Sequence, residues 1–200
     1  MAALAEDRIR QLLAPFVGDF PAPAGLYAQL GRYLDLLLLW NARTNLTAVR
    51  QPEEIVTRHF GESLFAARQA ATLLQPGDSV LDFGSGAGFP GLPLQLALPE
   101  VTVTLGESQN KKATFLREAV RTMGLSRTKV HAGRIETLPS ATRFQMVTMR
   151  AVDDPQIAEV AAKDRVAPGG WLLSLHGGEP ADVSVAIPGS ERRFVTLWQM

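Results

Sequence analysis

Three glycines alternate with small residues in the run Leu81-Asp82-Phe83-Gly84-Ser85-Gly86-Ala87-Gly88-Phe89-Pro90-Gly91. The run follows a turn, Gln75-Pro76-Gly77-Asp78, and a short β-prone stretch, Ser79-Val80-Leu81. A side chain at Gly84, Gly86 or Gly88 would hold a ligand away from the backbone, or forbid positive φ. Strand, glycine loop and helix start, in that order, predict a cradle for a cofactor. Free backbone N–H groups and the positive end of the helix would face its anionic group. The spacing is G-x-G-x-G, whereas dinucleotide-binding turns use G-x-G-x-x-G. That difference argues against a nicotinamide-dependent oxidoreductase. About 20 residues further on, where nucleotide-binding βαβ units place an acid on ribose hydroxyls, stands Glu107. Asp82, inside the first strand, has two readings: it braces the loop backbone, or it faces an amine of the ligand.

Elements that could position these groups are legible in the hydrophobic pattern. Residues before about position 74 read as helical. Ile9, Leu12, Leu13 and Phe16 share a face, and Pro21-Ala22-Pro23 breaks that helix. Leu26, Leu30, Tyr33, Leu34, Leu37 and Leu38 mark a second amphipathic helix that ends near Trp40-Asn41. A third starts near Pro52-Glu53-Glu54, where proline and acids suit a first turn, and runs past His59 toward Ala71. From there strands alternate with helices. Strands are predicted at residues 80–83, 101–105, 129–131, 144–149 and 171–175, with two more candidates at 183–187 and 194–198. Helices are predicted over 92–98, from Ser108 or Asn110 to Gly124, and from Asp153-Asp154-Pro155 to Ala162. The alternation predicts an α/β fold with a mostly parallel sheet. Such sheets bind ligands beyond the carboxyl ends of their strands. The glycine loop, Glu107, Ile135-Glu136 and Arg150 all fall there. We expect a helical cap over residues 1–74 and a sheet-based core over 75–200.

Composition bounds the function. Lysines and arginines number 20 and so do aspartates and glutamates, which gives no net charge to draw the chain to nucleic acid or a membrane. The distribution is uneven. Between Lys111 and Arg134 the basic residues are Lys111, Lys112, Arg117, Arg121, Arg127, Lys129 and Arg134, and Glu118 is the only acid. With no cysteine, disulfides, thiolate chemistry and cysteine-based zinc sites are excluded. Three scattered histidines give no metal site, and none is expected. The early acids of the N-terminus do not suit a signal peptide, and the greasy run from Leu34 to Trp40 is short for a membrane span. A cytoplasmic protein is expected.

The strongest functional signal is an ordered set of phrases. It comprises Trp40-Asn41 with Asn45-Leu46-Thr47, Arg58-His59-Phe60-Gly61-Glu62-Ser63, the run from Leu81 through Leu94, Glu107-Ser108, Lys111-Lys112 with Phe115-Leu116, Gly133-Arg134-Ile135-Glu136, and Arg150-Ala151. From about residue 34 to residue 178 this set resembles the ribosomal RNA small-subunit methyltransferase G family, also called the glucose-inhibited division protein B family. The resemblance implies a class I S-adenosylmethionine-dependent methyltransferase, Rossmann-like, with an N-terminal helical extension. It implies methyl transfer from S-adenosyl-L-methionine to N7 of a guanine in 16S ribosomal RNA, on or apart from the small ribosomal subunit. The cofactor contacts it implies are Gly84 and Phe89 in the loop, Ile135 and Glu136 after the third strand, and Arg150 after the fourth; Gly86, from the loop spacing, is a further cofactor-binding candidate. Glu107 matches the acid of the wider class.

N7 of guanine carries a free lone pair, so no general base is expected. Arg150 and Arg134 are the candidates for positioning the base. The competing reading for Arg150 is a salt bridge to Glu136 or Asp153. Candidate RNA contacts are Arg58, His59, Lys111, Lys112, Arg121 and Arg134, with Arg43 and Arg50 extending the footprint. Asn45 is expected to fix the turn after Trp40. A monomer without membrane association is expected. A non-catalytic RNA-binding or ribosome-assembly factor on the same fold is the alternative. Gln145, Met149, His176 and Gly106 depart from the family pattern.

Overall fold

The computed structural model describes residues 2–150, 155–179 and 183–200. Its sheet runs β3-β2-β1-β4-β5-β7-β6, built from β1 (Ser79–Phe83), β2 (Thr102–Glu107), β3 (Thr128–Ala132), β4 (Phe144–Arg150), β5 (Val166–Gly177), β6 (Ser184–Ala186) and β7 (Arg193–Gln199). The first five strands pair in parallel, whereas β7 runs antiparallel to both β5 and β6. The expected α/β architecture with a mostly parallel sheet is present. Chain order reverses between β1 and β4, so the crevice beyond their carboxyl ends is the switch point where such sheets bind ligands.

The helices are α1 (Glu6–Val17), α2 (Leu26–Asn41), α3 (Pro52–Ile55), α4 (Glu62–Ala70), α5 (Gly91–Ala97), α6 (Asn110–Met123) and α7 (Pro155–Lys163). Successive strand residues point to opposite faces. Val80, Val103, Leu105, Met146 and Leu173 therefore pack in one core with α1, α2, α4, α5 and α6. Leu81, Val147 and Leu172 face the other way, onto Ala158 and Ala162 of α7. The helices that precede β1 share the first core, so the cap is seated on the sheet rather than tethered to it.

Two details differ from the sequence reading. The helix expected from Pro52 to Ala71 contains a π-helical segment, Val56–Gly61, between α3 and α4. No proline announces it, and the single glycine at its end, Gly61, reads as an ordinary helix residue. Strand β5 starts at Val166, before the Pro168-Gly169-Gly170 turn signal, with its register against β4 shifted between Phe144 and Met146. The Asp153-Asp154 opening expected for α7 lies outside the described residues. Among those residues no helix is long and apolar enough to cross a membrane.

Candidate cofactor and substrate site

The glycine loop adopts the backbone expected of it. Gly84, Gly86 and Gly88 have φ of 70°, 57° and 96°. At Gly88 the demand is also steric: a Cβ there would lie 2.4 Å from Leu92 Cδ1 and 2.7 Å from the Tyr33 hydroxyl. That hydroxyl donates to the Ala87 carbonyl. Tyr33 is fully buried and stacks on Phe60, with ring centroids 5.1 Å apart. It thereby fastens helix α2 to the loop.

The loop amides are less available than the sequence suggests. Ser85 N–H donates to the Gly106 carbonyl, Gly88 and Phe89 N–H donate to the Ser85 carbonyl, and Gly86 N–H donates to Glu107 Oε2 at 2.9 Å. The start of α5 is also occupied. Gly91 N–H donates to Asp82 Oδ2 at 3.1 Å, and Thr148 donates to Asp82 Oδ1 at 3.0 Å. The protein's own buried carboxylate complements this helix end, so the expectation that it faces a ligand anion is corrected. Asp82 has the bracing role and is not among the residues lining the cavity. Burial raises its pKa to about 6, against the bonds from Ser85, Thr148 and Gly91.

A cavity of about 530 Å³ opens above the loop. Gly84, Gly86, Phe89, Glu107, Ile135, Glu136 and Arg150 all line it, and so do Arg58, His59, Lys112 and Arg134. Lys111 and Arg121 are exposed on α6 and do not line it. Arg134 sits at the end of β3 and Arg150 at the end of β4, with β2 and β1 between them. At about 4.8 Å per strand that is roughly 14 Å of sheet. The two arginines therefore face different parts of any ligand.

The cavity suits the nucleoside cofactor on three counts. A Cβ at Gly86 would meet only the Gly84 carbonyl oxygen, at 3.9 Å, so glycine here keeps open space that a side chain would fill. Glu107 is nearly buried, and its two oxygens accept from Gly86 and Gln109 N–H, which fixes the carboxylate and leaves lone pairs for hydroxyls. Ile135 and Phe89 supply apolar wall. Ile135 needs Gly106 beneath it: a Cβ there would lie 2.2 Å from Ile135 Cδ1, which explains the glycine that interrupts β2.

Beside the loop the π segment delivers a connected polar cluster. Arg150 Nη2 donates to the Arg58 carbonyl at 3.0 Å and to His59 Nδ1 at 3.1 Å, and pairs with Glu62 Oε2 at 2.7 Å. Arg150 thus pairs with Glu62 and makes no salt bridge to Glu136, one of the two partners in the competing reading; the other, Asp153, lies outside the described residues. Burial, then repulsion from Arg58, lowers the Arg150 pKa to about 10, so it stays charged at neutral pH. His59 stacks on Phe89 at 4.8 Å, and burial followed by the Arg150 charge lowers its pKa to about 3. A neutral ring that accepts at Nδ1 must carry its proton on Nε2. Nε2 lies 2.7 Å from Thr47 Oγ1, which also accepts from Val49 N–H at 3.2 Å. Thr47 lines the cavity, and with both lone pairs engaged its hydroxyl is left as a donor.

Sequence reasoning missed Tyr33, Thr47 and Glu62. It also named Asn45 for the turn after Trp40. The main fastener is Asn41, whose Oδ1 accepts from Leu46 and Thr47 N–H at 2.9 and 3.0 Å and whose amide donates to the Thr47 carbonyl. Asn45 accepts from Arg50 at the surface. Of the departures, Gln145 lies at the entrance of β4, at its register shift, away from the site. Met149 and His176 line a second cavity on the far side of Arg150.

A parallel sheet extended by an antiparallel β7, with a glycine loop after β1 and an acid closing β2, is the core of a class I S-adenosylmethionine-dependent methyltransferase. A solved precorrin-6y C5,15-methyltransferase from Geobacter metallireducens has this fold, with a TM-score of 0.52 over 67% of this chain and 87% of that one at 16% identity. The chain belongs to the rRNA small subunit methyltransferase G family, whose model matches residues 26–187. It is similar to the ribosomal RNA small subunit methyltransferase G of Stenotrophomonas maltophilia strain K279a, with 42% identity covering 86% of this chain and 80% of the relative. The same enzyme of Xanthomonas campestris pv. campestris strain B100 is 38% identical over 87% of this chain and 77% of the relative.

Proposed function

We propose that this protein, as a cytoplasmic monomer, transfers a methyl group from S-adenosylmethionine to N7 of a guanine in 16S ribosomal RNA. The observation that carries the reading is one cavity that unites the glycine loop, Glu107, Ile135 and Arg150 in a chain of this family. Residues 75–200 form the core and residues 1–74 the cap that supplies Thr47, Arg58 and His59.

Gly84 and Gly86 leave room for the cofactor, Glu107 accepts from its ribose, and Ile135 with Phe89 flanks it. Glu136 and Arg134 stand at the β3 end, where Arg134 meets cofactor edge or RNA backbone. Bound there, the cofactor would supply an electrophilic methyl group on a sulfonium to the N7 lone pair. No proton leaves N7, so the chain needs no general base there, and His59, with its pKa lowered to about 3, is too weak to act as one. The residues contribute placement, which is worth on the order of 7–11 kcal/mol when two reactants are held in line. Arg150, fixed by Glu62 and His59, is the positioning group at the β4 end. Lys112 at the rim, and Lys111 and Arg121 along α6, supply phosphate contacts.

Incubation with labelled cofactor and naked 16S RNA, free 30S subunits or 70S ribosomes tests the reading. We expect label in 7-methylguanosine from at least one of them. Tight RNA binding without incorporation in any would favour the assembly factor.

A further inference from the structure

A second cavity, of about 600 Å³, lies across Arg150 from the first and shares Arg58 and Arg150 with it. Its walls are the carboxyl ends of β4 and β5, and Arg192 and Arg193 enter it from the start of β7. The cofactor reading leaves this space unused. Its charge pattern is distinctive: four arginines line it, and Glu62 is the one acid among the described residues that do.

Glu62 is only 4% exposed and is held from both sides, with Oε2 on Arg150 and Oε1 on Arg193. An ionised carboxylate has about four acceptor positions and no donor. Two are taken by the arginines, and what remains can only accept, so it requires donors on the ligand. At the rim the opposite holds. The Arg192 side chain is exposed and has no hydrogen-bond or ion-pair partner among the described residues. The cavity thus joins a fixed acceptor at its floor to a cation at its mouth that has no partner among the described residues. The complementary ligand has adjacent N–H donors at one end and an anion at the other. Guanosine phosphate fits, because N1–H and the 2-amino group lie side by side on its base. Adenine presents an unprotonated N1 at that edge and would meet the carboxylate lone pair against lone pair.

We propose that this second cavity receives the acceptor guanosine of the RNA, with Glu62 taking the N1–H and 2-amino donors and Arg192 holding its phosphate. The inference rests on the methyltransferase reading but concerns a different set of groups. Glu62 reads the edge of the base opposite N7, which leaves N7 free to face the first cavity. The nucleotide must leave the stack to enter, as bases modified within folded RNA do.

The test is calorimetric titration of the protein, saturated with S-adenosylhomocysteine, with GMP, IMP, AMP and guanosine. A paired donor set on a buried carboxylate should favour GMP over AMP by about tenfold or more, with IMP between them because it lacks the 2-amino group. Glu62→Gln should narrow the GMP-to-AMP ratio to within about threefold. Arg192→Ala, at an exposed position, should weaken GMP several-fold and leave guanosine unchanged. Equal binding of GMP and AMP by the wild type overturns the proposal. So does an Arg192→Ala variant that binds GMP as the wild type does. Should Glu62→Gln fail to fold, the wild-type base ranking and Arg192→Ala still decide. A wild-type enzyme that methylates 16S RNA at guanine N7 yet shows no base ranking here would refute this pocket while sustaining the methyltransferase reading.

Discussion

At the scale of single residues the site depends on two buried titratable groups whose pKa values move in opposite senses. His59 is held near 3 instead of 6.5, so on acidification the unfolded chain takes a proton that the folded one refuses. Its effect is to lower stability as pH falls from about 6.5. Asp82 is raised from 3.8 to about 6, so the folded chain binds a proton that the unfolded one has released. Its effect is to lower stability as pH rises from about 4 to about 6. Between pH 4 and 6 the two nearly cancel, and each single variant should uncover the other. A full proton of difference corresponds to about 1.4 kcal/mol per pH unit. Relative to wild type, Asp82→Asn should lose stability on acidification through this window, and His59→Ala should gain it. Urea midpoints at half-unit pH steps provide the check; parallel profiles for all three proteins would contradict the assignments. Arg150→Ala should lower turnover, cofactor affinity or both by at least about tenfold, because it removes the positioning group and one of the two arginines that hold the buried Glu62 carboxylate. Kinetics equal to wild type would remove Arg150 from the site.

At the scale of elements, two segments place the chemistry: the glycine loop and the π turn. The loop was legible because alternating glycines between a β-prone run and a leucine-rich helix have few other uses. Asp82 at the α5 start was legible as one of two alternatives, and only the Gly91 and Thr148 bonds choose between them. The π turn was not legible. Arg58, His59 and Glu62 fall on one side of a helix in any case. What the sequence could not show is that Arg150, about 90 positions away, bonds to the Arg58 carbonyl, His59 and Glu62 there. Tyr33 was hidden for another reason: its spacing on α2 is that of an ordinary core residue, and its bond to the Ala87 carbonyl comes from a segment 54 positions away. The sheet was read well where β-branched runs alternate cleanly. It was read poorly at β5, whose first residues surround a proline and two glycines. Gly88→Ala should cost about 2 kcal/mol through positive φ and the Leu92 clash, which lowers Tm by roughly 5 °C in a chain of this size. An unchanged Tm would mean that the loop is not gripped by Tyr33 and Leu92.

At the scale of the whole molecule, a chain of zero net charge must bind RNA through local patches. Lys111 and Lys112 at the start of α6 and the arginines around the two cavities lie at one end of the sheet, beyond the carboxyl ends of its strands. The sequence showed the α6 cluster because its members are contiguous. It could not show that Arg192 and Arg193 join Arg58, since antiparallel β7 brings them back from the far end of the chain. RNA affinity should fall steeply with salt, and each lysine or arginine that neutralises a phosphate should contribute about one unit to the log–log slope. Lys112→Ala should reduce the slope by about that amount. A slope that does not change would take Lys112 out of the RNA footprint.

The claim beneath all of this is that the cofactor occupies the space that Gly86 keeps open. Titration with S-adenosylhomocysteine, comparing wild type with Gly86→Leu, tests it most directly, with circular dichroism confirming that both are folded. We expect saturable one-to-one binding by the wild type and a loss of about a hundredfold or more in the variant, whose side chain would fill the cavity. Equal affinity in the two folded proteins would contradict the account.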